Sequence, residues 1–252
     1  MAGYHEDALE IIKENCLFYL GKEYKNFAIN MKLYEFTHTF SSILFESHGS
    51  KTFIDFGESK VTYSDMVDML GDYEGDETLY TMGSENVLKS YVSVFEDYLK
   101  EILEYLFNSH PHHIFKGKTT FPSTRLLEYD SLESLKKNLI KEKVTSLSFN
   151  SLVEVISFIE NEFKVDMEID TETLEVLTEI TLIRNIFVHN KGIVNEIFMQ
   201  KVKGHHHLVE KPYKLGVKIT VFPPDINDLY QLFLDLGEKV YEKLNEKYGK
   251  SR

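Results

Sequence analysis

Apolar residues recur every three or four positions through most of this chain, and this spacing is typical of α-helices that bury one face. Near the N-terminus the pattern predicts one helix from Glu10 to Leu20 and a longer one from about Glu23 to Ser47. The longer helix has an apolar stripe at helical spacing, made of Leu33, Phe36, Phe40 and Leu44. Residues 52–56 alternate like a short strand, and a short helix is predicted from Thr62 to Leu70.

Stronger helical patterns follow an acidic, glycine-containing stretch at 71–77, which is the best candidate for a domain boundary. Ser84 is predicted to cap a helix that runs to about Phe107. The remaining predicted helices cover residues 131–143, 150–163, 171–189, 194–201 and 226–248. Alternation of Val217, Ile219 and Val221 predicts a β-hairpin over 208–222. The fold class is therefore mostly α, with a helical N-terminal extension at 1–80 and a helical bundle with a small β-hairpin before the last helix at 81–252.

Composition excludes some classes of protein. No apolar run approaches the length of a membrane span, and the N-terminus lacks the basic and then apolar order of a signal peptide. Cys16 is the single cysteine and lies in an apolar helical stretch, so we expect a buried, inert thiol and a cytoplasmic protein.

The net charge of −13 argues against a broad nucleic-acid-binding surface. The charge is unevenly distributed, however. Residues 184–218 carry seven Lys or Arg residues and only two Glu. This basic stretch is the one part of an acidic chain whose composition suits phosphate binding.

The basic stretch begins with the sequence Arg-Asn-Ile-Phe-Val-His-Asn at 184–190, called here the Arg–His motif. On a helix, Asn185 and His189 share a face and Arg184 lies about 100° away, beside the buried positions Ile183 and Phe187. An arginine can hold phosphate oxygens, and a histidine near a helix C-terminus can take or give a proton. The set suits metal-free RNA cleavage in which the 2′-OH attacks the neighbouring phosphate.

Arg184, four intervening residues and His189, with Asn185 directly after the arginine, resemble the Arg-x4–6-His signature of HEPN-domain proteins. The helical layout over residues 83–252 is most similar to the RiboL-PSP type found in prokaryotic defence and toxin loci. The resemblance implies an all-α homodimer or higher oligomer that cleaves RNA in a composite cleft without metal or cofactor. Arg184 and His189 would be catalytic and Asn185 supporting, while Asn190, Lys191, Lys201 and Lys203 would contact RNA.

Two other interpretations of the motif remain. In the first, the chain is an inactive HEPN module that binds RNA, a nucleotide or a partner protein such as an antitoxin. In the second, it is a structural helical adaptor. HEPN toxins that are silenced by nucleotide addition often carry a tyrosine at the position of Lys191, so that form of silencing is not expected. The histidines at 110–113 and 205–207 lack partners at metal-ligand spacing, and the second group is expected in a solvated or RNA-facing loop.

Overall fold

The computed structural model describes residues 2–48, 53–55, 60–62, 79–115, 129–204, 206–208 and 212–248. Over these residues the chain is mostly helical, as predicted. The helices are α1 (Ala2–His48), α2 (Leu79–Ser109), α3 (Leu132–Leu147), α4 (Leu152–Phe163), α5 (Thr171–Asn190), α6 (Glu196–Val202) and α7 (Pro223–Tyr248), with a short 3-10 helix at Pro111–Phe115. Two short antiparallel strands, β1 (Phe53–Asp55) and β2 (Lys60–Thr62), pair Phe53 with Thr62.

The chain divides into two compact units, each assembled from separate stretches. The first unit contains residues 1–20, 92–182 and 232–252, and the second contains residues 21–91 and 183–231. Neither unit coincides with residues 1–80 or 81–252, the division that the sequence suggests. The whole Arg–His motif falls in the second unit.

The N-terminal half of the prediction needs two corrections. The two predicted helices are one continuous helix, α1, because Gly21 lowers helix stability by only about 1 kcal/mol and does not end the helix. Ser84 does not cap α2, which begins at Leu79 and buries Ser84 completely. The predicted strand at 52–56 forms over Phe53–Asp55, while all but the first residue of the predicted helix at 62–70 lies outside the described residues.

The first unit has an aromatic and aliphatic core supplied by α2, α4 and α7. Phe95 packs on Phe233 with ring centroids 5.2 Å apart, and the buried Tyr98 hydroxyl donates to the carbonyl of Gly237 at 2.9 Å. The apolar residues at helical spacing in these helices are buried, among them Leu99, Ile102 and Leu106 of α2 and Leu152, Ile156 and Phe163 of α4. Cys16 is also buried, as expected; burial, with a smaller contribution from Glu101, raises the pKa of its thiol to about 12.

The second unit is built around the start of α2, the middle of α1 and the polypeptide that follows the motif. Tyr24 of α1 stacks on Tyr230 at 4.3 Å, and the buried Tyr91 lies 6.0 Å from the same ring. The ring of Phe198 in α6 meets the edge of Tyr213 at 4.8 Å. These contacts place α6 and the following loop on the same body as the motif.

Two predicted apolar faces are wrong. In α3 the apolar spacing of Leu132, Leu135 and Leu139 predicts the buried face, but the buried residues are Ile140, Val144 and Leu147, and Leu132 is 82% exposed. In α1, Leu33, Phe36 and Phe40 are exposed, and the side chain of Leu44 lies outside the described set. The apolar pattern of α1 is present, but the described side chains of this face are not buried.

Candidate functional site

The Arg–His motif occupies the last two turns of α5. This helix begins at Thr171, and the carboxylate of the preceding Asp170 accepts a hydrogen bond of 2.8 Å from the backbone amide of Thr173. It ends at Asn190 because Lys191 and Gly192 both adopt left-handed backbone angles, with φ of 53° and 79°. The Gly192 amide then donates to the carbonyl of Ile186 at 3.1 Å, so the C-terminal stop is the one that the sequence predicts.

A long-range backbone pairing holds the residues directly after the motif. The Val194 amide donates to the Val217 carbonyl at 2.9 Å, and the Ile219 amide donates to the Gly192 carbonyl at 2.9 Å. Ile193 and Lys218 form the antiparallel bridge at the centre of this pairing. The predicted hairpin over 208–222 is therefore not observed in its described residues; the segment at 216–219 pairs with 192–194 instead.

The motif's side chains divide into a buried set and a polar set. Ile183 and Phe187 are buried, as the helical spacing predicts, and Ile186 is buried with them. Arg184 and Asn185 are half-buried, and a guanidinium nitrogen of Arg184 donates to the side-chain oxygen of Asn185 at 3.0 Å. One turn beyond Asn185, on the same helix face, His189 is exposed.

In this geometry the side chains of Arg184 and Asn185 are held by their hydrogen bond, whereas the side chain of His189 is not held by it. The hydrogen bond fixes the arginine side chain beside the amide, so its charge is held near the helix surface rather than extended into solvent. His189 remains accessible to a large substrate. A fixed cation and an accessible proton carrier are thus five residues, or about 1.4 helical turns, apart.

The predicted RNA-contacting residues have different surroundings. The side-chain amide of Asn190 is used within the chain, where it donates to the carbonyl of Ile193. Lys191 is exposed next to the motif, and Lys201 and Lys203 are exposed at the end of α6. Among the described residues, no recorded hydrogen bond or ion pair joins either of these last two lysines to the motif.

A cavity of about 300 Å³ lies behind the motif helix within the second unit. Sequence analysis missed it, because its walls come from residues that are far apart along the chain. Phe187 and Lys218 form one side, and the start of α2 supplies Met82 and Glu85. Glu85 also pairs with Lys89 at 3.0 Å. The cavity combines an aromatic wall with polar groups at its rim.

The histidine clusters have other surroundings. His113 lies 2.5 Å from a carboxylate oxygen of Glu162 in the first unit and packs on Phe163. His206 and His207 are exposed, as a solvated loop requires. Within the described residues, no group of three or more His, Cys, Asp or Glu side chains is arranged to hold a metal ion.

Comparisons of this chain with protein-family models, with curated proteins and with solved structures find no match. Among the described helices, none combines the length and the apolar character that crossing a membrane requires.

Proposed function

We propose that this chain is a metal-independent endoribonuclease of the HEPN type that uses Arg184, Asn185 and His189. The observation that carries the proposal is the Arg184–Asn185 hydrogen bond with the exposed His189 one turn further along α5. The amide fixes the arginine, and the histidine is open to solvent. This is the arrangement that binding one phosphate and moving a proton beside it requires.

The reaction balances without an added reagent. The ribose 2′-oxygen attacks the adjacent phosphorus, its proton passes to a base, and the bond from phosphorus to the 5′-oxygen breaks as that oxygen receives a proton. The products are a 2′,3′-cyclic phosphate and a 5′-hydroxyl. His189 serves as the base or the acid, and Arg184 neutralises the charge that grows on the phosphate oxygens in the transition state.

One imidazole can hold only one of these two roles at a time, so the proposal includes a second copy of the chain. Exposed apolar side chains beside the motif support this: Val188 within it, Ile193 just after it, and Val217 in the segment paired with 192–194. A two-fold axis near such a patch would bring two motifs together, since each copy presents the same surface to the other.

The basic stretch supplies the contacts to RNA in this proposal. Lys191, Lys201 and Lys203 are exposed on the same unit as the motif and would neutralise backbone phosphates, so binding should weaken as salt increases. We assign the cavity beside Phe187 and Lys218 to a nucleobase that flanks the cleaved phosphate, because an aromatic wall and polar rim suit a base. In a cell, such an enzyme would act as a defence or toxin effector under the control of a trigger or partner.

The test is cleavage of total RNA by the purified protein in EDTA. We expect His189→Ala to reduce the rate by about 10²–10⁴-fold and Arg184→Ala by about 10²–10³-fold. His112→Ala is the matched control, since His112 is an exposed histidine in the first unit, outside the motif and the basic stretch. Cyclic phosphate ends from the wild type and the control alone would support the proposal.

Equal cleavage by all four proteins would refute the assignment of the site. Salt-sensitive RNA binding without cleavage, lost in Arg184→Ala, would instead support the inactive RNA-binding module. Neither binding nor cleavage by the wild type would leave the motif with a structural role and would contradict the proposal.

A further inference from the structure

Helix α1 has two apolar faces, and in the part of the chain that the structure describes one of them is buried and the other is exposed. Within the second unit, Phe27 and Met31 are buried, and the Met31 side chain closes on α2 at Gly83. The opposite face carries five large apolar side chains that are between 44% and 67% exposed. This face, called here the α1 stripe, consists of Ile29, Leu33, Phe36, Phe40 and Ile43.

The spacing of the α1 stripe is four, three, four and three residues. This is the a and d repeat of a coiled coil, and the five positions fall within an arc of about 80° on a helical wheel. The rings of Phe36 and Phe40 stack with centroids 6.0 Å apart and form a continuous apolar ridge. Such a ridge matches another helix with the same repeat, because each side chain enters a gap between four side chains of its partner.

We propose that the α1 stripe pairs with the α1 stripe of a second copy of this chain, as a short two-helix coiled coil. The α1 helix of another copy carries the same repeat. A two-fold contact needs only one self-complementary surface. This inference is independent of the proposed nuclease, since it involves no residue of the motif or of the patch beside it.

Charge favours a second copy over a charged partner. The chain as a whole carries a net charge of −13, but residues 26–43 contain only one Lys and one Glu. These two, Lys32 and Glu35, already pair on the exposed surface at 2.7 Å. The α1 stripe is therefore a neutral surface on an acidic protein, where two copies can approach without strong repulsion, and it offers little to nucleic acid or an anionic membrane.

The exposed area is also sufficient. A large apolar side chain exposes on the order of 150–250 Å² when it is fully accessible, so five that are about half exposed give roughly 500 Å² for each copy. Pairing two copies buries about 1,000 Å² in total, which is near the lower limit for a specific interface. The coiled coil should therefore be stable at high protein concentration and dissociate on dilution.

The first test is the solution mass of the full chain, measured by light scattering over a range of concentrations. We expect the double substitution Phe36→Glu and Phe40→Glu to halve the mass of the assembly. Phe149→Glu is the matched control, because Phe149 is 84% exposed and lies outside the α1 stripe; it should leave the mass unchanged. Far-UV circular dichroism checks that both variants keep their helices.

A single-chain mass at every concentration would overturn the proposal, and so would an assembly that is indifferent to the double substitution. Flotation of a monomer with neutral phosphatidylcholine vesicles, abolished by the same change, would also overturn it by identifying a lipid surface as the occupant.

The second test separates this contact from any other interface of the chain. Leu33→Cys and Phe40→Cys, which lie on either side of Phe36 at the centre of the α1 stripe, are prepared singly and mixed, then oxidised; the native Cys16 is buried and does not interfere. A parallel pair would cross-link each variant to itself, and an antiparallel pair would cross-link the mixture. Cross-linking no greater than that of Phe149→Cys in every sample would contradict the proposal.

Discussion

The end of the motif helix depends on a glycine, and replacing it with alanine measures how tightly that end is packed. Gly192 has a φ of +79°, and a Cβ at this position would lie 3.1 Å from two ring carbons of the buried Phe187. Gly204 has a φ of +83°, but its Cβ would meet nothing within 4 Å. The pair therefore separates the cost of the backbone angle from the cost of the contact.

The expected magnitudes follow from these distances. A left-handed backbone costs an L-residue roughly 1–2 kcal/mol, and about 0.4–1 kcal/mol of this is offset by the lower entropy of the unfolded chain. Gly204→Ala should thus lower the free energy of unfolding by about 0.5–1 kcal/mol. Gly192→Ala must also displace the Phe187 ring, which adds about 1–3 kcal/mol as in other overpacked cores.

Urea unfolding followed by circular dichroism and tyrosine fluorescence measures both variants, since the chain has 15 Tyr and no Trp. Both glycines lie in the second unit, so the comparison holds even where the two units unfold in separate transitions. Equal losses of stability in the two variants would show that the Phe187 contact relaxes without cost, and the reasoning from the 3.1 Å distance would be refuted.

Two further predictions concern titratable groups. Burial, and to a smaller extent Glu101, raises the pKa of the Cys16 thiol to about 12, so a thiol reagent should label Cys16 at neutral pH only after unfolding; rapid labelling of the native protein would contradict this. Hydrogen bonds from the backbone and side chain of Thr173 lower the pKa of Asp170. Its carboxylate therefore stabilises α5 above the usual Asp pKa, and this contribution is lost as pH falls through the lower folded value. The advantage of the wild type over Asp170→Ala in urea unfolding should shrink in acid, and a constant advantage would argue against the cap.

The sequence predicted those helices best whose apolar residues form one uninterrupted stripe. In α4, Leu152, Ile156 and Phe163 are buried as expected, and the N-terminal cap at Ser151 is reinforced by Glu154. In α1 the same kind of periodicity misled, because the helix carries two apolar faces on opposite sides. Helical spacing identifies an apolar face, but it does not say whether that face packs on the same chain or on another.

The hairpin prediction failed for a different reason. Ile219 and Val221 are buried and Val217 is exposed, so the segment is extended with only part of the predicted alternation. Its observed pairing partner is the turn after α5. Alternation indicates an extended backbone with one buried side, whereas the partner is chosen by tertiary contacts, here 25 residues away along the chain.

The orientation of the motif's side chains could be predicted from helix geometry, but the contacts of the residues that follow the helix could not. Because Ile183 and Phe187 are buried, the geometry of a helix orients His189 toward solvent, and His189 is indeed exposed. The side-chain amide of Asn190 has no such constraint; it turns back to the carbonyl of Ile193 because the chain reverses there. The buried stripe of a helix therefore determines where the side chains of a motif on that helix point. The side-chain positions of residues beyond the last turn depend on tertiary contacts, which the spacing of apolar residues does not predict.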